Sequence, residues 1–202
     1  YIAMQDNKRI RLAYWKLPNN KISKGTILLQ QGHNEFIEKY YETIKELIDR
    51  NFNIVTFDWR GQGLSDRMIK NENKQYIEDF SIHCQDLSYI INEIIIDKFP
   101  GPLIGLGHSM GGHLLLLYQE REQNKFSSLI LSAPMLGFKY ERVLFFIATM
   151  IKNFANKENY FFLSKPNMGK ETPFTQNDLT SDYERYTRTQ RLVRKLPKIR
   201  LW

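Results

Sequence analysis

The feature that most constrains this chain is an apolar stretch, Leu103 to Leu106, followed at once by Gly107-His108-Ser109-Met110-Gly111-Gly112. The run His113 to Glu122 after it has helical character. A serine with glycine two positions away on each side suits a sharp turn from strand to helix. Gly107 and Gly111 carry no Cβ, so strand and helix can close on each other around Ser109. The serine hydroxyl then stands clear of the sheet. The amide of Met110 points to where a negative oxygen would develop, at the positive end of the following helix. A bare Gly-x-Ser-x-Gly arises often by chance. The strand before it, the helix after it and the extra Gly112 single this one out as a nucleophile site.

The rest of the chain fits a sheet built to carry such a turn. Residues 8 to 17 read as a strand after a short N-terminal one, and Pro18-Asn19-Asn20 reads as a turn. Thr26 to Gln30 (TILLQ) is a short strand whose continuous apolar character fits a buried central strand of a parallel sheet, and Asn53 to Phe57 (NIVTF) reads as the next buried strand. Between them, apolar residues at 36, 37, 40, 41, 44, 47 and 48 mark a helix over Glu35 to Arg50. Asp58 to Asp66 is a glycine-rich loop, and the polar stretch Lys70 to Gln75 is expected to be mobile. Asp79 to Phe99 reads as a long helix that Asp79 can cap. Pro100-Gly101-Pro102 breaks the chain before the elbow strand, and Ser127 to Ser132 forms the next strand. Strands alternate with helices three times, which predicts a mostly parallel, doubly wound α/β sheet.

From Ala133 the pattern changes. Helical stretches are expected near residues 140 to 155 and 183 to 196, with irregular chain between and no buried strand. The domain reading is a core over residues 1 to 133 and a helical cap over 134 to 202.

Charge is uneven along the chain. The net charge is +7, yet Glu184 to Trp202 holds seven cations (Arg185, Arg188, Arg191, Arg194, Lys195, Lys198 and Arg200) against one acid. That stretch can meet an anionic lipid surface or form a solvated helix face. No zinc-finger spacing or aromatic RNA-binding motif accompanies it, so no nucleic-acid partner is expected. The single cysteine, Cys84, cannot form an internal disulfide and reads as core filler. The apolar run Val143 to Ile151 ends at Lys152, too short to cross a bilayer. The expected location is cytoplasmic, with peripheral contact to the inner membrane face. A targeting segment upstream of Tyr1 stays open.

A second oxyanion donor should come from the loop after the strand at 26 to 30. That loop is Gln31-Gly32-His33, and the backbone amide of His33 is the candidate; its side chain is not needed. The chain resembles α/β-hydrolases of the lysophospholipase L2 and monoacylglycerol-lipase group, also called serine aminopeptidase S33-like hydrolases. The stretches QGHNEFIEKYYETIKELIDRNFNIVTFDWRGQGLSD, GHSMGGHLLLLY, LILSAPML and LTSDYERY carry the likeness. Many relatives have His-Gly where this chain has Gln31-Gly32. The resemblance implies Ser109 as nucleophile, Met110 and His33 as oxyanion amides, and a cap that shapes an acyl-chain pocket. It implies cleavage of a carboxylic ester of a single-chain lipid, with no cofactor or metal.

The catalytic acid and base are not legible here. This fold orders its triad as Ser, then Asp or Glu, then His. The four histidines are His33, His83, His108 and His113, and none follows Ser109 by more than four residues. Asp178 and Asp182 fall in the cap and are not nominated. The expectation is therefore an α/β-hydrolase lacking its last core strands, with acid and base beyond residue 202. The strand at 127 to 132 would otherwise be an exposed apolar edge. The rival readings are a non-catalytic lipid- or protein-binding remnant, and a thioesterase, peptidase or acyltransferase on the same fold. Val143 to Ile151, Phe161 and Phe162 could line an acyl pocket, rest on a membrane, or simply pack the cap on the core.

Overall fold

The computed structural model describes residues 1–71, 76–122, 125–137, 173–177 and 180–195. A two-stranded hairpin, β1 (Ile2–Ala3) and β2 (Arg9–Ile10), precedes the main sheet. That sheet has five strands in the order β3-β5-β4-β6-β7. They are β3 (Leu12–Trp15), β4 (Thr26–Gln30), β5 (Asn53–Phe57), β6 (Leu103–His108) and β7 (Ser128–Ser132). β3 runs antiparallel to β5, and the other pairings are parallel. The doubly wound, mostly parallel expectation is what the structure has.

Alternation along the central strands sends side chains to two faces. Ile27, Leu29 and Ile54 lie beneath helix α1 (Tyr41–Asp49), with Ile44 of that helix. Leu28, Val55 and Phe57 face the other layer, built from α2 (Phe80–Ile90) and α4 (Met110–Arg121). Leu87, Ile90, Leu114 and Leu115 of those helices are fully buried against them. Each such aliphatic side chain contributes about 2 kcal/mol on leaving water.

Three elements depart from the sequence expectation, each for a physical reason. The strand expected over residues 8 to 17 splits at Arg11, whose amide donates to the hydroxyl of Ser65 (2.9 Å) instead of to a strand. The helix expected from Glu35 opens as a 3-10 turn, Ile37–Tyr40, before α1, because Phe36 is extended (φ −152°, ψ 162°). The elbow helix starts at Met110, three residues before the helix-forming run, and includes both glycines. The long helix keeps its bounds. Asp79 caps it through the Ser81 amide (2.6 Å), and a π-helical turn, Ile91–Ile95, joins α2 to α3 (Ile96–Lys98). Cys84 is buried in this layer, as expected, and burial pushes its thiol up.

In the second part of the chain, α5 (Tyr183–Lys195) matches the helix expected near 183 to 196. The stretch 72–75, the helix near 140 to 155, Val143 to Ile151, Phe161, Phe162, Asp178, Lys198 and Arg200 lie outside the described residues.

Candidate active site

The sheet order reverses direction at β4: the chain goes from β4 to β5 on one side, then crosses to β6 on the other. Loops that leave the carboxyl ends of β4 and β6 therefore rise side by side, the usual place for a site in such a sheet. Gln30, the last residue of β4, stands in register with Gly107 of β6.

Ser109 sits between β6 and α4 at φ 50°, ψ −117°. This is a left-handed backbone for a residue with a Cβ, and it is held from several sides. The Ser109 amide donates to the Ser132 carbonyl (3.0 Å), and its carbonyl accepts from the amides of His113 (3.1 Å) and Met135 (3.0 Å). The glycines are required by close approach. A Cβ on Gly107 would lie 2.6 Å from the backbone of Gly112, and one on Gly111 would strike the carbonyl oxygens of Gln30 and Gln31. The turn is thus as tight as the sequence spacing demands.

Met110 is the first residue of α4 and its side chain is buried. Its amide belongs to the first turn, where N–H groups have no partner within the helix. The loop after β4 comes down beside the serine: a Cβ on Gly32 would lie 3.1 Å from the Ser109 Cβ and 3.2 Å from the His108 ring. The amides on either side of His33 are engaged. Gly32 donates to Glu35 Oε2 (2.8 Å) and Asn34 to Gln62 Oε1 (2.6 Å). The His33 amide between them has no acceptor among the described residues, and its side chain is exposed. So the structure brings Ser109, Met110, Gly107, Gly111 and the His33 loop to one place.

Three of the four histidines are otherwise occupied. His83 is buried against Trp59 (ring centroids 5.1 Å apart). Burial and the nearby Arg60 push its imidazole down to about 3. His108 turns to the Ser132 carbonyl (3.1 Å), and His113 meets the edge of Phe80 (5.9 Å). None hydrogen-bonds the Ser109 hydroxyl among the described residues.

Sequence reasoning passed over the polar groups that support the two loops. Asp58, at the end of β5, is fully buried. Its carboxylate accepts from Arg11 Nε (2.7 Å), the amides of Ile37 (3.0 Å) and Leu64 (2.8 Å), and Gln31 Nε2 (3.2 Å). Burial pushes this carboxyl up, against the pull of Arg11 and the amides. Arg60 ties the glycine-rich loop to α2 by two 2.6 Å bonds to Asp86, and to the hairpin loop through Asp6 (2.7 Å). Among the described residues no cluster of His, Cys, Asp and Glu could hold a metal ion, and no helix is long and apolar enough to cross a membrane.

A mostly parallel sheet wound on both faces, with a strained serine between strand and helix, defines an α/β-hydrolase. Solved structures share that fold. One is a soluble variant of monoglyceride lipase from Saccharomyces cerevisiae in complex with a substrate analog, with a TM-score of 0.58 and 23% identity over 75% of this chain and 51% of that one. Another is the Paleococcus ferrophilus monoacylglycerol lipase, with a TM-score of 0.57 and 22% identity over 71% of this chain and 51% of that one. The sequence profile of the family described as serine aminopeptidase, S33 matches residues 21–200, and the chain belongs to that family. It is 29% identical over 181 residues to lysophospholipase L2 of Escherichia coli, covering 87% of this chain and 52% of the relative. It is 26% identical over 172 residues to the monoglyceride lipase of Rattus norvegicus, covering 84% and 52% respectively. The chain thus spans about half the length of these curated relatives.

Proposed function

We propose that these residues form the nucleophile half of a serine hydrolase that cleaves carboxylic esters of single-chain lipids, lysophospholipids or monoacylglycerols. The observation that carries the reading is the strained Ser109 elbow with the Gly32 loop packed against it. The names of the lysophospholipase and monoglyceride lipase relatives support the lipid-ester choice. In the proposed reaction the Ser109 Oγ attacks the ester carbonyl carbon, and its proton passes to a histidine. The carbonyl oxygen becomes an oxyanion that accepts from the amides of Met110 and His33, each such donor being worth about 3–4 kcal/mol. Collapse expels the alcohol, which takes the proton, and leaves an acyl-serine. Water, deprotonated by the same histidine, then releases the fatty acid. No histidine or acid among the described residues is assigned those roles, and the reading takes both from beyond residue 202, after the cap.

In the complete gene product, a fluorophosphonate probe is expected to label Ser109, and Ser109→Ala to abolish both labelling and hydrolysis of a lysophospholipid or monoacylglycerol. Labelling that persists in the alanine variant would refute the nucleophile. A panel adding thioesters, peptides and acyl acceptors separates ester hydrolysis from the other chemistries of this fold. A protein of these 202 residues alone is expected to turn over little or no ester.

A further inference from the structure

Glu35 lies two residues past His33, in the loop that approaches the nucleophile. One carboxylate oxygen, Oε2, accepts from the Gly32 amide (2.8 Å) and from the Tyr40 hydroxyl (2.5 Å). The other, Oε1, accepts from the Lys39 ammonium (2.7 Å). The Glu35 and Lys39 side chains are only 15% and 16% exposed, so the pair is shielded from bulk water. A Cβ placed on Gly32 would lie 3.0 Å from Glu35 Oε2 and 3.1 Å from the Ser109 Cβ. The carboxylate and the nucleophile therefore both pack close to Gly32. The far end of the loop is also fastened. Asn34 stands at φ 59° and donates its amide to Gln62 Oε1 (2.6 Å). Gln62 in turn places its Nε2 3.9 Å from the Met110 sulfur.

We propose that Glu35, braced by Tyr40 and Lys39, is a positioning residue that fastens the Gly32 amide so that the neighbouring His33 amide is preorganised as the second oxyanion donor. The proposal rests on the acyl-transfer reading of Ser109. A free loop would have to order itself each time the oxyanion forms. A loop pinned at Gly32 and Asn34 needs no reorganisation at that moment, which is what makes such donors effective. A bare carboxylate near a developing negative charge would oppose catalysis. Lys39 neutralises it through Oε1, the oxygen that the Gly32 amide does not use. The Tyr40 hydroxyl takes up a further lone pair and stays protonated, because burial and the adjacent carboxylate both raise it. Burial acts to raise the Glu35 carboxyl, and Lys39, Tyr40 and the Gly32 amide together hold it below the usual range. It is an acceptor at neutral pH.

The test compares Glu35→Ala, Glu35→Gln, Tyr40→Phe and Ser109→Ala in the complete gene product. Ester kinetics are measured with affinity for an alkyl trifluoromethyl ketone, which forms an oxyanion on the nucleophile. Glu35→Ala is expected to lower kcat about 30-fold and to weaken the ketone by a similar factor, with KM within about threefold of the parent. Glu35→Gln keeps an oxygen for the Gly32 amide and should recover kcat to within about fivefold. Tyr40→Phe should cost kcat about threefold at unchanged KM. An effect of Glu35→Ala confined to KM, or no effect on kcat and ketone affinity while Ser109→Ala is dead, overturns the positioning role and leaves the nucleophile standing. Hydrolysis that survives Ser109→Ala overturns the underlying reading instead. If Glu35→Ala does not fold, Tyr40→Phe decides: unchanged kcat and ketone affinity refute the proposal.

Discussion

Ser109 holds a backbone conformation that its own Cβ disfavours, at an expense of about 1–3 kcal/mol that the surrounding sheet and helix sustain. Replacing it by glycine relieves that strain, although glycine also loosens the unfolded chain. Ser109→Gly is therefore expected to raise stability by about 1 kcal/mol in denaturant titrations, whereas Ser109→Ala, which keeps the Cβ, should leave stability nearly unchanged. A glycine variant no more stable than the alanine variant would show that the turn is unstrained. His83 sets a second residue-level expectation. Its imidazole sits near 3 in the folded protein, against about 6.5 in an unfolded chain. The unfolded state binds a proton between those values and the folded state does not. The contribution of His83 is thus fully present above about pH 6.5 and lost as pH falls toward 3, at about 1.4 kcal/mol per pH unit. Lowering pH from 7 to 5 should destabilise the parent more than His83→Gln, by about 2 kcal/mol. Parallel pH profiles for the two proteins would show that the ring is already charged.

Between elements, the clearest bridge joins α5 to α1. Glu42 accepts from Arg185 (2.9 Å) and Arg188 (2.7 Å), and both arginines are exposed. Exposed pairs are screened by salt. Amide exchange over residues 183 to 195 should quicken in 0.5 M salt and in Glu42→Gln, and salt should have little further effect on that variant. Exchange that ignores both changes would mean that α5 is held by its apolar contacts alone. Element by element, legibility followed burial. β4 and β5 read directly because every one of their residues is buried, so neither carries a charged residue and neither shows the apolar–polar alternation of a half-exposed strand. The start of α4 was obscured because two glycines, poor helix formers, are there for close approach to β6 and the Gln30 carbonyl. The elbow was legible because glycine spacing is itself the signature of a tight turn. The supports around it were not: Asp58, Glu35 and Gln62 are ordinary loop letters, and only the folded chain shows which amides they hold.

At the scale of the whole molecule, β7 has a neighbour, β6, on one side only among the described residues, and Ile130 is 51% exposed. An unpaired strand edge with apolar side chains is a template for association. A protein of these 202 residues should sediment as a mixture of larger species, and Ile130→Lys should shift it toward monomer. A monodisperse parent would show that the edge is covered.

The crossover that sets β4 beside β6 also has a temporal consequence. The two halves of the oxyanion site are remote in sequence. Of the backbone bonds that hold Ser109 in its left-handed state, only the one from the His113 amide is local; the bonds to Ser132 and Met135 depend on strands that pair in register, as β4 and β6 do at Gln30 and Gly107. Pairing of such distant segments is a late and slow event. A growing or refolding chain would therefore carry an unreactive serine until its central sheet is complete, so the onset of probe labelling at Ser109 clocks the closure of the sheet itself.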